Sequence, residues 1–534
     1  MEKNNLFFGA LMLLSSAIFS QTLSDAIKQT DNEQFETADA TFKSLIQSQP
    51  NNGENYFYYG ENYFKNDNLE MAKTTYQKGI DANATNPLCY VGLGKVQWYQ
   101  NKAAEAKANF YKAITLAAGK NATVLMEIAD AYIKAETKDI NEAIKLLDMA
   151  IKLEPKNPEA FILKGDAYLE QNDGTKAIEN YEKAGVLDSK SVTAILRQGQ
   201  LWFRAKNYDL ALDLYKQASL IDSSFAPAYR EKAEIYFLAG RYANAVAQYK
   251  RYLQLNNNCS ARGRYAGFLN QAKQYKESIE AADEALKCNL SNPYLYRYKG
   301  YSQFETGDYI NGLQTMNTFF DMASKNAKVK IISQDYEYRG RLYSKDTKDS
   351  TSLILAIADY KKALELDSTK KDLNGDIANT YFKMKKYPEA IATYKSKMEN
   401  GKPNANDYFG IGRAYYYSKD FTNADFYFDQ IIKSQPDLPL GYLWKAKTSV
   451  QLYPKNETWL AKPYYEQYIA KVKPTDTEKN KKDLMDAYTY IGVYYMHNKD
   501  NCTAKTFFKK VTELDSANTN AKKFLDSAEA KKCP

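Results

Sequence analysis

Small residues return along this chain at a nearly fixed interval. Gly60, Gly94, Ala129, Gly165, Gly199, Ala233, Ala266 and Gly300 are separated by 34, 35, 36, 34, 34, 33 and 34 positions. Gly340, Ala378, Gly412, Ala446 and Gly492 continue the series with three longer steps. Three positions after most of these comes an aromatic, as at Tyr63, Tyr132, Tyr168, Trp202, Tyr236, Tyr343, Tyr381, Tyr415 and Tyr495. A second small residue follows at Ala72, Ala106, Ala177, Ala211, Ala245, Ala390, Ala424 and Ala504, and four positions later another aromatic, from Tyr76 and Phe110 to Phe428 and Phe508. Two small positions and two aromatics per period predict a pair of antiparallel helices. The small residues allow a close crossing, and the rings fill the space beside it. Turn sequences such as Lys206–Asn207–Tyr208 and Ala239–Gly240–Arg241 separate the two helices, and connectors carrying Pro50, Pro87, Pro155, Pro158, Pro436 and Pro439 end many periods.

A period of 34 with these residues resembles the tetratricopeptide repeat (TPR), whose pattern places Trp, Leu-Gly, Tyr, Ala, Phe and Pro at set positions. Leu93–Gly94 and Ile411–Gly412 match its Leu-Gly pair, and Tyr408 and Tyr442 stand where it has Trp. The resemblance covers about residue 23 to the end. It implies an all-α, right-handed superhelical solenoid of about fourteen helix-turn-helix repeats, the first one degenerate but retaining Ala38, Phe42 and Pro50. The tail from Asn518 to Lys532 sets Ala521, Phe524, Leu525 and Ala528 on one stripe, as a capping helix requires. The period breaks after Phe320, in the polar stretch Ser344–Ser352, and around Pro454, Pro463 and Thr475–Asp483. Three segments are therefore expected: a signal peptide over 1–20, an N-terminal array over 21–325, and a C-terminal array over 326–534.

The signal-peptide reading rests on Lys3 followed by an apolar stretch from Leu6 to Phe19, too short to span a bilayer comfortably. Ser15 and Ala17, or Ser20, offer the cleavage positions. Export, with a usage rich in Lys, Asn and Tyr, points to a periplasmic or outer-membrane-associated protein of a Gram-negative bacterium. The net charge of +8, from 73 basic and 65 acidic residues, forms no basic stripe, so nucleic acid is not an expected partner. The single histidine, His497, excludes paired-histidine metal sites.

Chemistry is sparse in this sequence. Gly92–Leu93–Gly94 and Gly410–Ile411–Gly412 lack the third glycine of a dinucleotide fingerprint and fall inside repeat helices. No nucleophile has an evident base, and no cofactor or metal is expected. Two disulfides are expected in an oxidising compartment. Antiparallel packing brings Cys259 near Cys288, and the cap helix returns Cys533 to Cys502, leaving Cys89 free.

In the TPR family the first helix of each repeat lines a concave surface that receives extended peptides or partner helices. Carried over by position, this implies a lining of Phe57, Phe64, Lys95, Trp98, Tyr99, Phe203, Arg204, Arg230, Phe237, Arg297, Tyr301 and Phe304, then Arg341, Phe382, Phe409, Arg413, Tyr416 and Tyr417. Aromatics with Arg are the usual chemistry of interface hot spots. The family's carboxylate clamp is not matched: Asn379 holds one suitable position, but Gly375 stands where a Lys is needed. The expected function is a non-enzymatic scaffold for protein or peptide partners, as part of a secretion or outer-membrane assembly complex. The alternative is an accessory of glycan or nutrient uptake, with Trp98–Tyr99 as a sugar-stacking platform.

Overall fold

The computed structural model describes residues 22–256, 259–288, 292–345, 350–399, 401–455 and 458–533. The expected signal peptide lies outside the described residues. Those described are all-helical, and their α-helices follow one another along the chain as fourteen helix-turn-helix pairs and a two-helix tail.

Each pair is built by the same local chemistry. A polar residue caps many of the helix starts: Asn52, Asn86, Asn121, Asn157 and Ser191 accept a backbone N–H at the first helices, and Asn68, Asp139, Asp173 and Asn207 do so at the second. This is why the connectors are rich in Asn and Asp. Between the two helices one residue enters the left-handed region, at Asp67, Asn101, Asn172, Lys206, Lys273, Lys385, Lys419 and Lys499. The turn closes as at Asn207, whose N–H donates to Trp202 O at 2.9 Å while Lys206 N–H reaches Phe203 O.

The repeated glycine has a direct steric cause. A Cβ on Gly60 would lie 2.1 Å from the Tyr76 ring, on Gly165 2.4 Å from Tyr181, and on Gly199 2.4 Å from Tyr215. The same holds at Gly94 against Phe110 and Gly412 against Phe428. The aromatic of the second helix therefore lies directly on the glycine of the first, rather than beside the crossing. Tyr76, Tyr181 and Tyr215 are fully buried.

The chain divides into two compact units, Met1–Ser302 and Gln303–Pro534. The division falls within the first helix of the ninth pair, ahead of the irregular stretch after Phe320 on which the sequence reading sets it. In the C-terminal unit the last pair, Lys481–His497 and Asn501–Leu514, is followed by the tail. Its expected single cap helix is two short ones, Thr519–Leu525 and Ala528–Lys531. Ser527 is extended and caps the second by accepting from Ala530 N. The break turns the chain back, and Cys533 joins Cys502 in a disulfide with Cα atoms 5.2 Å apart. Cys288 is disulfide-bonded, while the side chain of Cys259 lies outside the described residues. Cys89 is a buried free thiol, its pKa pushed up to about 12 by burial.

Candidate functional site

In the C-terminal unit, the tenth pair (Ser333–Tyr343, Ser350–Leu366), the eleventh (Leu373–Lys383, Tyr387–Glu399) and the twelfth (Ala405–Tyr417, Phe421–Ser434) surround a cavity of about 540 Å³. Their first helices supply Arg341, Asp376, Asn379, Phe382, Phe409 and Arg413, and the second helix of the eleventh pair supplies Tyr394 and Lys397. Four residues of the expected lining, Arg341, Phe382, Phe409 and Arg413, thus meet in one cavity. Arg341, Asn379 and Arg413 share one face because each directly follows the small residue of its repeat, an equivalent position on successive first helices.

The cations of this cavity are not equivalent. Arg341 reaches Glu337 at 2.9 Å and Asp376 at 3.9 Å. Lys397 donates to Asp407 at 2.6 Å and lies 3.6 Å from Asp372. Arg413 is held by rings instead, 4.3 Å from the centroid of Phe382 and 5.2 Å from that of Phe409, and no carboxylate pairs with it among the described residues. Burial raises the pKa of Asp376 against the pull of Arg341, and pushes the Tyr394 hydroxyl up to about 12. A half-buried guanidinium against two aromatic rings keeps its N–H fork directed and available, the arrangement that suits a carboxylate.

Lys397 is the residue that the sequence reading misses. A Cβ on Gly375 would lie 3.2 Å from Lys397 Nζ, so the ammonium approaches the space that a side chain at 375 would take. It arrives from the second helix of the pair, where the repeat pattern carries no lining signal.

Beside the cavity the rings form a continuous network. Tyr417 packs on Phe382 at 5.5 Å, and Tyr416 and Phe409 pack on Trp444 at 5.3 and 5.7 Å. Tyr417 remains 48% exposed and extends the apolar wall. Phe304 of the same unit packs against Tyr309 and Tyr338.

The N-terminal unit treats its expected lining differently. Phe57, Trp98, Arg297 and Tyr301 are buried between helices and line no open surface. Trp98 donates its Nε1–H to Thr137 O at 2.8 Å and packs on Tyr132. Phe64 and Tyr99 stack edge to face at 4.8 Å. Phe203 packs on Tyr208, and Phe237 on Phe268 beneath Arg264. Arg204 is committed to Leu169 O and Asn172, and Arg230 to Glu33 and Glu231.

Lys95, 2% exposed as a side chain, lies at the centre of a buried ionic cluster. Its Nζ is 2.8 Å from Glu61, 2.9 Å from Asp130 and 3.2 Å from Glu127. Tyr76 OH donates to the other oxygen of Glu61 at 2.6 Å, and Lys134 holds Asp130 at 2.6 Å. Burial works against the ammonium, but Asp130, Glu61 and Glu127 outweigh it and raise its pKa. Burial likewise opposes Asp130, yet Lys134 and Lys95 hold it well below the usual range. Glu127, with only a share of Lys95, is pushed by burial up to about 7. The fifth and sixth pairs repeat the device: Tyr181 OH donates to Asp166 at 2.7 Å, and Arg197 pairs with the same carboxylate at 3.0 Å. Gln200 holds that position one repeat later and is committed to Arg197 and Glu231, which leaves the buried Tyr215 hydroxyl without a partner. An acid directly after the repeat glycine, with Tyr fifteen positions on, is the sequence signal for this device.

Comparison with known proteins agrees with this architecture. Tetratricopeptide-repeat family profiles match residues 135–191, 162–227, 196–258 and 408–438. The C-terminal part of a TPR repeat-containing protein from Cytophaga hutchinsonii is 31% identical, covering 50% of this chain and all of that one, with a TM-score of 0.43. A tetratricopeptide repeat protein from Parabacteroides merdae is 20% identical over 47% of this chain and 99% of its own, with a TM-score of 0.32. Protein bimA of Emericella nidulans is 26% identical over 187 residues, 34% of this chain; the match spans only 21% of that relative's length. Among the described residues no helix is long and apolar enough to cross a membrane, and no cluster of His, Cys, Asp and Glu is arranged to hold a metal ion. The repeat period, the glycine–aromatic crossings, the family-profile matches and the 31% identity over the whole of the Cytophaga hutchinsonii chain make this chain a member of the tetratricopeptide-repeat family, whose helix pairs serve as a scaffold for protein interaction.

Proposed function

We propose that the protein is an exported, non-catalytic scaffold that holds extended segments of cell-envelope proteins, within a secretion or outer-membrane assembly complex. It grips them through the cavity of the C-terminal unit. The observation that carries this reading is Arg413, fixed between Phe382 and Phe409 with no carboxylate partner among the described residues. An Asp or Glu side chain, or a terminal carboxylate, completes it, while neighbouring apolar side chains lie on Tyr416 and Tyr417. Export is supported by the apolar N-terminal stretch and by the disulfide between Cys502 and Cys533, since such bonds persist in oxidising compartments. The carbohydrate alternative loses its platform, because Trp98 is buried and its indole N–H is occupied.

Peptide-phage selection on the wild-type chain, with Arg413→Ala as counter-selection, tests the binding mode. Enrichment of peptides bearing a carboxylate, lost on the variant, is the expected result. A pool that binds both proteins equally contradicts it. Osmotic-shock fractionation with sequencing of the mature N-terminus tests the location, and an unprocessed cytoplasmic chain contradicts export.

A further inference from the structure

The N-terminal unit touches itself across six repeats. The turn between the first two helices (Leu23–Asp31, Phe35–Ser48) reaches the seventh pair (Ala226–Leu238, Tyr242–Leu255) and the loop before it. Lys28 pairs with Asp222 at 3.0 Å, and Asn32, almost fully buried, donates to Ser224 Oγ at 2.9 Å. Glu33 makes the central contact. One of its carboxylate oxygens receives Arg230 and the other receives the Tyr252 hydroxyl at 2.7 Å. Asn256 donates to that hydroxyl at 2.8 Å, and Glu231 orients the guanidinium at 3.1 Å.

Two features set this contact apart from ordinary packing. Glu33 holds the left-handed turn position that is Asp, Asn, Lys or Gly in the other turns of this kind, and here its carboxylate is gripped by residues 197 and 219 positions away. Arg230 stands at a lining position of a first helix, so the groove residue is filled by the chain's own carboxylate. We propose that Arg230, Tyr252 and Asn256 form a carboxylate-binding site on the N-terminal unit that Glu33 occupies in cis. The first helix pair is then a clasp that an acidic segment of a partner displaces. The site takes a carboxylate side chain because it offers a guanidinium and a hydroxyl donor to the two oxygens of one group. An external acid must replace contacts already made, so its apparent affinity is its intrinsic affinity multiplied by the fraction of time the clasp is open.

The test is the binding of fluorescein-labelled octaglutamate, followed by anisotropy at low salt in an Arg413→Ala background, so that the cavity of the C-terminal unit does not contribute. Glu33→Ala is expected to bind at least tenfold tighter than its parent, and adding Arg230→Ala abolishes the gain. Glu33→Gln keeps the side chain's length and gives a smaller gain in the same direction, so the test does not depend on one variant. Hydrogen exchange across residues 28–34 is expected to rise in Glu33→Ala, with protection of the second to sixth pairs unchanged. Equal affinity of Glu33→Ala and its parent overturns the proposal. So does a gain that survives loss of Arg230, or wild-type protection of the turn in Glu33→Ala.

Discussion

In the N-terminal unit the cations of the first helices are consumed by the fold: Lys95 by Glu61, Glu127 and Asp130, Arg197 by Asp166, and Arg230 by Glu33. In the C-terminal unit Arg413 holds an equivalent register and has two rings but no acid. The difference follows from one position of the period. Arg230 and Glu33 apart, which meet across 197 positions, regular repeats set the acid of one first helix opposite the cation of the next, about one repeat on, so charges pair along the array. In the C-terminal unit the step from Ala378 to Gly412 is again 34, but Asn379 stands one repeat before Arg413 where Glu61 stands one repeat before Lys95, so no acid among the described residues meets that cation. One unit is closed by its own charges, and the other presents a charge to a partner.

Removing the centre of the buried cluster is expected to have the largest effect. Lys95→Met leaves three carboxylates around an empty centre and costs about 3–5 kcal/mol. Hydrogen-exchange protection should fall across the second to fourth pairs and hold in the C-terminal unit. A uniform loss across both units breaks the comparison.

The next effect belongs to the tail. Reducing or replacing the Cys502–Cys533 bond, which closes a loop of sequence separation 31, costs about 2–4 kcal/mol. Denaturant unfolding read on the last pair should show it, with the N-terminal unit unmoved.

A matched pair of glycine substitutions follows. Gly60→Ala drives a methyl into the Tyr76 ring, which is fixed by its bond to Glu61, and costs about 1–3 kcal/mol. Gly375→Ala meets only the far end of the flexible Lys397 side chain, at 3.2 Å, and should cost less than about 0.5 kcal/mol. Thermal melts of the two variants check this, and equal shifts contradict it.

A further effect depends on pH. The pKa of Glu127 in the folded chain, about 7, lies above its usual 4.5, so the native state binds the extra proton more tightly. Its contribution to stability is full below about pH 4.5 and is lost as pH rises through about 7. Glu127→Gln is therefore expected to be neutral near pH 4 and to stabilise by about 1–2 kcal/mol near pH 8. Stabilisation of equal size at both pH values contradicts the assignment.

The repeat architecture was legible because steric needs recur at fixed spacing: the glycine under each ring, the small second residue, the capping Asn or Asp. The lining was less so. Position on a first helix marks Phe57, Trp98, Arg297 and Tyr301 as readily as Arg413, but whether such a residue faces the groove or the next repeat depends on neighbours one period away. Three-dimensional placement alone reveals Lys397 entering from a second helix, and Glu33 meeting Arg230 across 197 positions. The break in the tail turned on one residue, Ser527, whose capping bond outweighs the continuity of an apolar stripe.

Site-specific photo-crosslinking in living cells tests the central claim most directly. The crosslinker is placed at Asn379 inside the cavity, at Glu159 on a first helix of the N-terminal unit, and at the exposed Phe426 as a control. The account predicts discrete envelope-protein adducts from Asn379 that disappear with Arg413→Ala, and none from the other two positions. Adducts of equal yield from all three, or adducts at Asn379 indifferent to Arg413, would contradict it.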